Sequence, residues 1–335
     1  MAVYTLIKLK NLTPIHMGTG KENYDFSASH LQSDTLTAAL AAIRAQLGKK
    51  DDLNEFLNSF TVSSAFPYVG NRYFFPKPLG KMDVEVSDAD AYAIKKSLKR
   101  IEYVEFSLWE KLVRGESLRV SRHQLQNNFL IDNKEDSSFN KPYTAQVNQR
   151  VSVPREEGLD AEPFFFEWTY FNQESGMFCL ISCTEEIKNE IIALFAELGE
   201  NGIGTDRNVG GGKFEIEVNN FDIPQIETPN ANMLLSLYIP TPEEMYILNL
   251  ESSRYELIER GGYISGSEDT RFRHLRKKSI YMFNYGSVFQ TTNALAGKVV
   301  DLRPMWNDTS LHPVYRSGKP FIIPIKYKNY EPHQD

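Results

Sequence analysis

Five glycines fall within the twelve positions 202–213, at Gly202, Gly204, Gly210, Gly211 and Gly212. Glycine loses more conformational freedom on ordering than any other residue, so such a cluster implies left-handed backbone or close approach of the main chain to something else. The cluster follows a helical pattern over 185–198 and precedes an alternating strand over 214–218. Two familiar glycine motifs do not fit it. A dinucleotide fingerprint runs from strand through Gly-x-Gly-x-x-Gly into a helix, whereas here Arg207 replaces the third glycine and the order is helix, loop, strand. A nucleoside-triphosphate loop needs Ser or Thr after its Gly-Lys and a glycine five residues before it; those positions hold Phe214 and Arg207. What remains is a loop carrying Arg207 and Lys213, whose amides and cations can follow a nucleic-acid backbone, with a long helix-to-strand turn as the alternative.

A chain of 335 residues exceeds what one core usually organises, so two domains are expected. No window approaches the roughly 18 uninterrupted apolar residues of a membrane-spanning helix. The segment 3–9 reads as a strand with lysines rather than a signal peptide, which makes the expected location cytoplasmic. Cys179 and Cys183 are the only cysteines, so neither a disulfide framework nor a four-cysteine zinc site is expected, and no metal or other cofactor is implied. The net charge of −7 argues against indiscriminate nucleic-acid binding, but the charge is segregated. Residues 95–123 carry eight Lys/Arg against four Glu, and 271–278 carry five Lys/Arg with no acid, while 185–200 carry five Glu against one Lys.

Along the chain, the strand at 3–9 leads into a loop with Pro14, His16, Gly18 and Gly20, and then into a helical pattern with Leu36, Leu40, Ile43 and Leu47 on one face. Ser33 or Asp34 reads as its N-cap and Gly48 as its stop, which makes the helix start a second candidate anion site. Residues 66–75 read as a hairpin turning at Gly70-Asn71. From 77 to 162 short helices alternate with polar stretches, and 121–154 reads as an excursion from the core. Strands follow at 163–170 and 176–182, then the helix, the glycine loop and a last strand. Without the excursion the order is strand, helix, strand, strand, helix, strand, that of a ferredoxin-like unit. A linker is expected over 221–230, and strand patterns at 233–239, 255–258, 279–283 and 298–302 imply a second sheet domain.

In order along the chain, His16-x-Gly18-x-Gly20, Ser33-Asp34-Thr35-Leu36, Phe75-Pro76-Lys77-Pro78, the glycine loop, 276–283, Gly286-Ser287-Val288-Phe289 and His312-Pro313-Val314-Tyr315-Arg316 resemble the RAMP superfamily of CRISPR proteins. The resemblance is closest to the Csm subunit that caps the 5′ end of the guide RNA in type III-A effector complexes. It implies an α+β protein of tandem ferredoxin-like (RRM-like) domains with a thumb hairpin insertion. The domains would span 1–222, with an insertion at about 77–162 and the glycine-rich loop at 202–213, and 231–335. It also implies binding of the crRNA 5′ repeat-derived tag and of target RNA, docking to the large polymerase-cyclase subunit and the RAMP backbone subunits, and no catalysis.

Carried over by position, Gly202, Gly204 and 210–213 would be the RNA loop, with Arg207 and Lys213 on phosphates. His16, Gly18, Gly20 and Lys21 would form a second wall, Ser33 and Thr35 the helix start, and about 124–153 the thumb with Arg150. Arg271, Arg273, Arg276 and Lys277 would supply further cations, with Phe272 for base stacking or simply packed. A competing reading is a metal-independent RAMP endoribonuclease with His16 as general acid or base, although no matched acid or second histidine stands nearby. A third is a structural adaptor without direct RNA binding.

Overall fold

The computed structural model describes residues 2–18, 24–28, 30–87, 91–132, 139–154, 160–264, 267 and 269–328, with the backbone alone for 91–95. The first strand, Ala2–Lys10, is the second strand of the principal sheet and is flanked on both sides. Glu215–Ile223 pairs along its whole length on one side, from Ala2 opposite Ile223 to Lys10 opposite Glu215, and Ser175–Cys183 pairs on the other. The sheet continues through Phe66–Val69 and Arg72–Pro76, a hairpin that turns at Gly70 as expected. These pairings are all antiparallel and follow the connectivity of the expected βαββαβ unit.

Side chains alternate across the two faces of these strands. Ile7, Leu9, Met177, Cys179 and Ile181 meet one face of each helix: Leu36, Leu40 and Ile43 from Ser33–Gln46, and Ile191, Leu194, Phe195 and Leu198 from Glu185–Asn201. Leu6, Phe178 and Leu180 point the other way, into a core shared with Phe75, Trp109 and Phe129 and with Ala231, Met233, Ile323 and Ile325 of the second half. The sheet is therefore covered on both faces, which is why its central strands read as nearly continuous apolar runs.

The stretch read as an excursion divides into two parts. Tyr103–Glu105, Phe129–Leu130 and Leu125–Gln126 extend the principal sheet, and Ile101, Trp109, Val113, Leu118 and Val120 belong to its core, so residues 101–131 are structural. The hairpin proper pairs Tyr143–Ser152 with Glu162–Phe171 over ten positions. The segment 163–170, expected in the sheet, is thus the second arm of the hairpin, and the hairpin lies further along the chain than 124–153. Short apolar runs cannot distinguish these fates, because both are strands. The last strand also runs on to Ile223, past the expected start of the linker.

Beyond Asn201 no described residue lies in an α-helix. The second half supplies short 3-10 turns at Glu244–Tyr246 and Thr270–Phe272 and several strands: Ala231–Leu234 between Val288–Phe289 and Ile322–Ile325, a ribbon of Leu257–Arg260 with Ile280–Phe283, and Val299–Asp301 with Tyr315–Ser317. The expected second ferredoxin-like unit would need two helices, which the described residues do not form. The architecture is mixed α+β and dominated by sheet.

Trp109 carries much of the shared core. Its ring stacks on Phe75 at 4.7 Å, and its Nε1–H donates to the carbonyl of Pro76 at 3.0 Å. Trp109→Ala is expected to destabilise the chain by about 3–5 kcal/mol. Urea denaturation followed by far-UV circular dichroism checks this; a loss below about 1 kcal/mol would mean that 101–131 is not part of the core.

Candidate nucleic-acid interface

The pairing of the first and last strands of the principal sheet delivers two remote loops, 11–18 and 202–214, to one edge. They zip together there. The Thr13 amide donates to the Lys213 carbonyl (2.9 Å), the Lys213 amide to Thr13 Oγ1 (2.8 Å), Thr13 Oγ1 to the Gly210 carbonyl (2.8 Å), and the Gly212 amide to the Pro14 carbonyl (3.0 Å). The Thr205 amide closes on the His16 carbonyl at 3.1 Å. The second arm of the hairpin joins them, because Ile15 and Thr169 exchange both main-chain bonds, at 3.0 and 2.8 Å.

This packing accounts for most of the glycines. A Cβ on Gly202 would lie 2.6 Å from the Gly211 carbonyl, on Gly204 2.6 Å from the His16 carbonyl, and on Gly212 1.8 Å from the Ile203 carbonyl. A Cβ on Gly211 would lie 2.8 Å from Cη2 of Trp168. The close approach inferred from the sequence is therefore real at four positions, but it is approach to the chain itself. Gly210 differs: its φ is +87° and nothing lies within 4 Å of its Cβ position, so its surface is open to a ligand. Beside it Arg207 and Lys213 are exposed. Gly18 is equally open, while Gly20 and Lys21 lie outside the described residues.

Arg150 ties the hairpin to the loop. Its Nη1 pairs with the carboxylate of Asp206, a residue held in the left-handed region at φ 60°, and its guanidinium lies over Phe166 at 4.2 Å and Trp168 at 5.3 Å. Short polar Asp tolerates that conformation better than most side chains. Phe166, Trp168 and Asp206 were missed in the sequence, where only the alternation within 163–170 could have suggested an inward face.

His16 is 1% exposed; its Nδ1 is 2.8 Å from the Glu167 carbonyl and its ring lies 4.5 Å from that of Phe166. A histidine so enclosed braces the loops and does not present a base to RNA. The helix start is likewise committed inward. Gln32, not Ser33 or Asp34, holds the N-cap position and makes no side-chain cap, and Ser33 Oγ accepts from the Leu237 amide at 2.9 Å. Asp34 pairs with Arg260 and Arg316, and Thr35 Oγ1 accepts from Arg260 at 3.0 Å. The tertiary partners replace the local cap.

Among the cations of 271–277, exposed Arg271 is taken up by Asp269 and Asp308, at 2.6 and 3.2 Å. Exposed Arg273 donates to the Ser267 carbonyl at 2.8 Å, and Arg276 lies 5.0 Å over Tyr263. Phe272 is buried, which leaves it no face for a base. Among the described residues no group of three or more His, Cys, Asp or Glu is placed to hold a metal, and no helix is long and apolar enough to cross a membrane.

Two family models match the chain: the RAMP superfamily over residues 8–215 and the CRISPR Csm4 C-terminal domain over 227–325. The CRISPR system Cms protein Csm4 of Thermococcus onnurineus (strain NA1) is 25% identical over 283 residues, which cover 80% of this chain and 87% of that protein. Among solved structures, a Csm1-Csm4 cassette in complex with cA4 aligns with a TM-score of 0.63 at 20% identity, covering 98% of this chain and 100% of the other. A Csm3-Csm4 subcomplex of the type III-A CRISPR-Cas interference complex aligns at 0.62 and 18%, covering 97% and 100%. At these identities the structural alignments establish a common fold.

The glycines separate by substitution. Gly210→Ala is expected to cost only the strain of a positive φ, about 1–2 kcal/mol. Gly212→Ala adds a collision with the Ile203 carbonyl and should lower the melting temperature several-fold more. Thermal denaturation of the two variants checks the order, and equal shifts would contradict the loop packing.

Proposed function

The chain belongs to the RAMP superfamily, and from that premise we propose that it is the non-catalytic subunit that binds the 5′ repeat-derived tag of the crRNA in a type III-A CRISPR (Csm) interference complex. In this reading it anchors the large polymerase-cyclase subunit to the RAMP backbone subunits and acts through domains at 1–222 and 231–335. The observation that carries the reading is the face at Gly210, where an open, left-handed glycine lies between exposed Arg207 and Lys213 on a loop braced from behind. A position without a side chain lets a phosphate come close to the loop, whose amides from Val209 to Lys213 are already donated within the protein, and the two cations neutralise it without reading sequence. The match of the second half to the Csm4 C-terminal domain supports the assignment to this subunit, and relatives solved with Csm1 and with Csm3 support the partners.

The hairpin suits the role of a thumb on target RNA. One side of it, with Arg150, Phe166 and Trp168, is spent on the loops, whereas Val147, Val151 and Phe165 on the other are exposed, Phe165 by 58%. An aromatic ring on a two-stranded arm can stack against an unpaired base or lift one from a duplex. The enclosure of His16 speaks against the endoribonuclease reading, since its ring has no route to a 2′-hydroxyl.

RNA binding by the full chain should weaken with salt, and Arg207→Ala and Lys213→Ala should each reduce the slope of log K against log salt by about 0.7 per lost phosphate contact. Fluorescence anisotropy with a labelled repeat-derived RNA reads this, and gel analysis of the same samples should find the RNA uncut. A slope unchanged in the Arg207→Ala, Lys213→Ala double variant would remove the loop from the interface. Affinity without salt dependence would favour the adaptor.

A further inference from the structure

Where the two halves meet, buried cations outnumber the carboxylates available to them. Asp34, 0% exposed, receives Arg260 through Nε at 2.9 Å and Nη2 at 3.0 Å, and Arg316 through Nη1; the two arginine side chains are 15% and 6% exposed. Lys277 stands three residues before the strand Ile280–Phe283, which pairs Ile280 with Arg260, and its amide is bonded to the Gly262 carbonyl at 3.0 Å. It has no carboxylate within ion-pair distance among the described residues. Two guanidiniums thus share one carboxylate, and the Lys277 side chain runs alongside them past Gly262, its Cε 4.0 Å from where a Cβ there would lie. The opposite holds at the other deeply buried arginine, Arg44, which meets both Asp52 and Glu190.

A buried charge without a counter-charge is costly, and proteins normally pair it or neutralise it. The strain registers in the basic groups themselves. Burial holds Arg260 and Arg316 down to about 10, and burial together with the charge of Arg260 holds Lys277 down to about 8. The amides of Ser33, Thr35 and Leu36 at the adjacent helix start are spent on Ser64 Oγ and the Gln32 carbonyl. An arriving anion would need to meet guanidinium forks, an ammonium and a hydroxyl, which is the donor set of a phosphate site.

We propose that Arg260, Arg316 and Lys277, with Thr35 at their edge, form a site for a phosphate group at the seam between the two halves. It is separate from the loop face at Gly210 and does not depend on the function assigned there. Because its donors come from both halves, an occupied site holds them together, and binding should raise the stability of the whole chain.

The test uses the full-length chain with sulfate, a tetrahedral dianion whose charge is constant above neutral pH, and compares wild type with Lys277→Met, which keeps the apolar stem. At pH 7 sulfate should raise the melting temperature of the wild type by about 2 °C more than that of the variant. The difference should fade by pH 9 as Lys277 loses its proton. The other basic groups at the seam, Arg260 and Arg316 at about 10 and His30 at about 4, do not change charge appreciably over that window. Equal responses in both proteins at pH 7 would identify an adventitious ion only and overturn the proposal.

Anisotropy with a short single-stranded RNA then separates two sources of the phosphate. A several-fold loss of affinity in Lys277→Met assigns the site to an RNA phosphodiester. An unchanged affinity with the sulfate difference intact assigns it to a free phosphate compound. A sulfate difference that persists in a chain showing no RNA binding would leave this site standing while refuting the tag-binding role.

Discussion

The register between Ala2–Lys10 and Glu215–Ile223 is the constraint on which the rest of the interface depends. With Lys10 opposite Glu215, the next groups along both chains fall within hydrogen-bonding distance, and the ladder continues into the loops through Thr13 and Lys213. A slip of one residue would turn Ile7 and Leu9 from the helix face to the opposite face and leave the loop amides without partners. The positive φ values at Gly202, Gly204, Gly210 and Gly212 are tolerable because that lattice of main-chain bonds holds them.

The hairpin inherits its placement from the same lattice. It has no core of its own, and a two-stranded ribbon is marginal in isolation. What fixes its base is the exchange between Ile15 and Thr169, the burial of Phe166 and Trp168, and the contact of Arg150 with Asp206. The Arg150 and Asp206 side chains are each 33% exposed, so their pair contributes direction more than stability.

The two halves are joined by apolar packing and by charge together. Leu6, Phe178, Met233 and Ile323 share one core, while Ser33 and Asp34, at the start of the first helix, reach across to Leu237, Arg260 and Arg316. The apolar part supplies most of the adhesion, because burial of hydrocarbon is favourable without precise geometry. The ionic part is directional and sets how the halves are oriented.

Much of this was legible from local pattern. The 3.6-residue spacing of Leu36, Leu40 and Ile43 announces a helix, Gly70-Asn71 a turn, and the polar run with Val147 and Val151 one arm of a hairpin, because these signals lie within a few residues of each other. The glycine cluster likewise announced a loop in which backbone approaches something closely. Sequence alone could not say what it approaches: for Gly204 it is the carbonyl of a residue some 190 positions earlier, for Gly211 the ring of Trp168, and only Gly210 is left facing outward. The same limit hid the enclosure of His16, the fate of 163–170 as a hairpin arm and the gathering of Arg260 and Arg316 around Asp34. Period and propensity are properties of neighbours along the chain, whereas burial and charge balance depend on which remote segments the sheet register brings together, and that was decided by the tertiary structure.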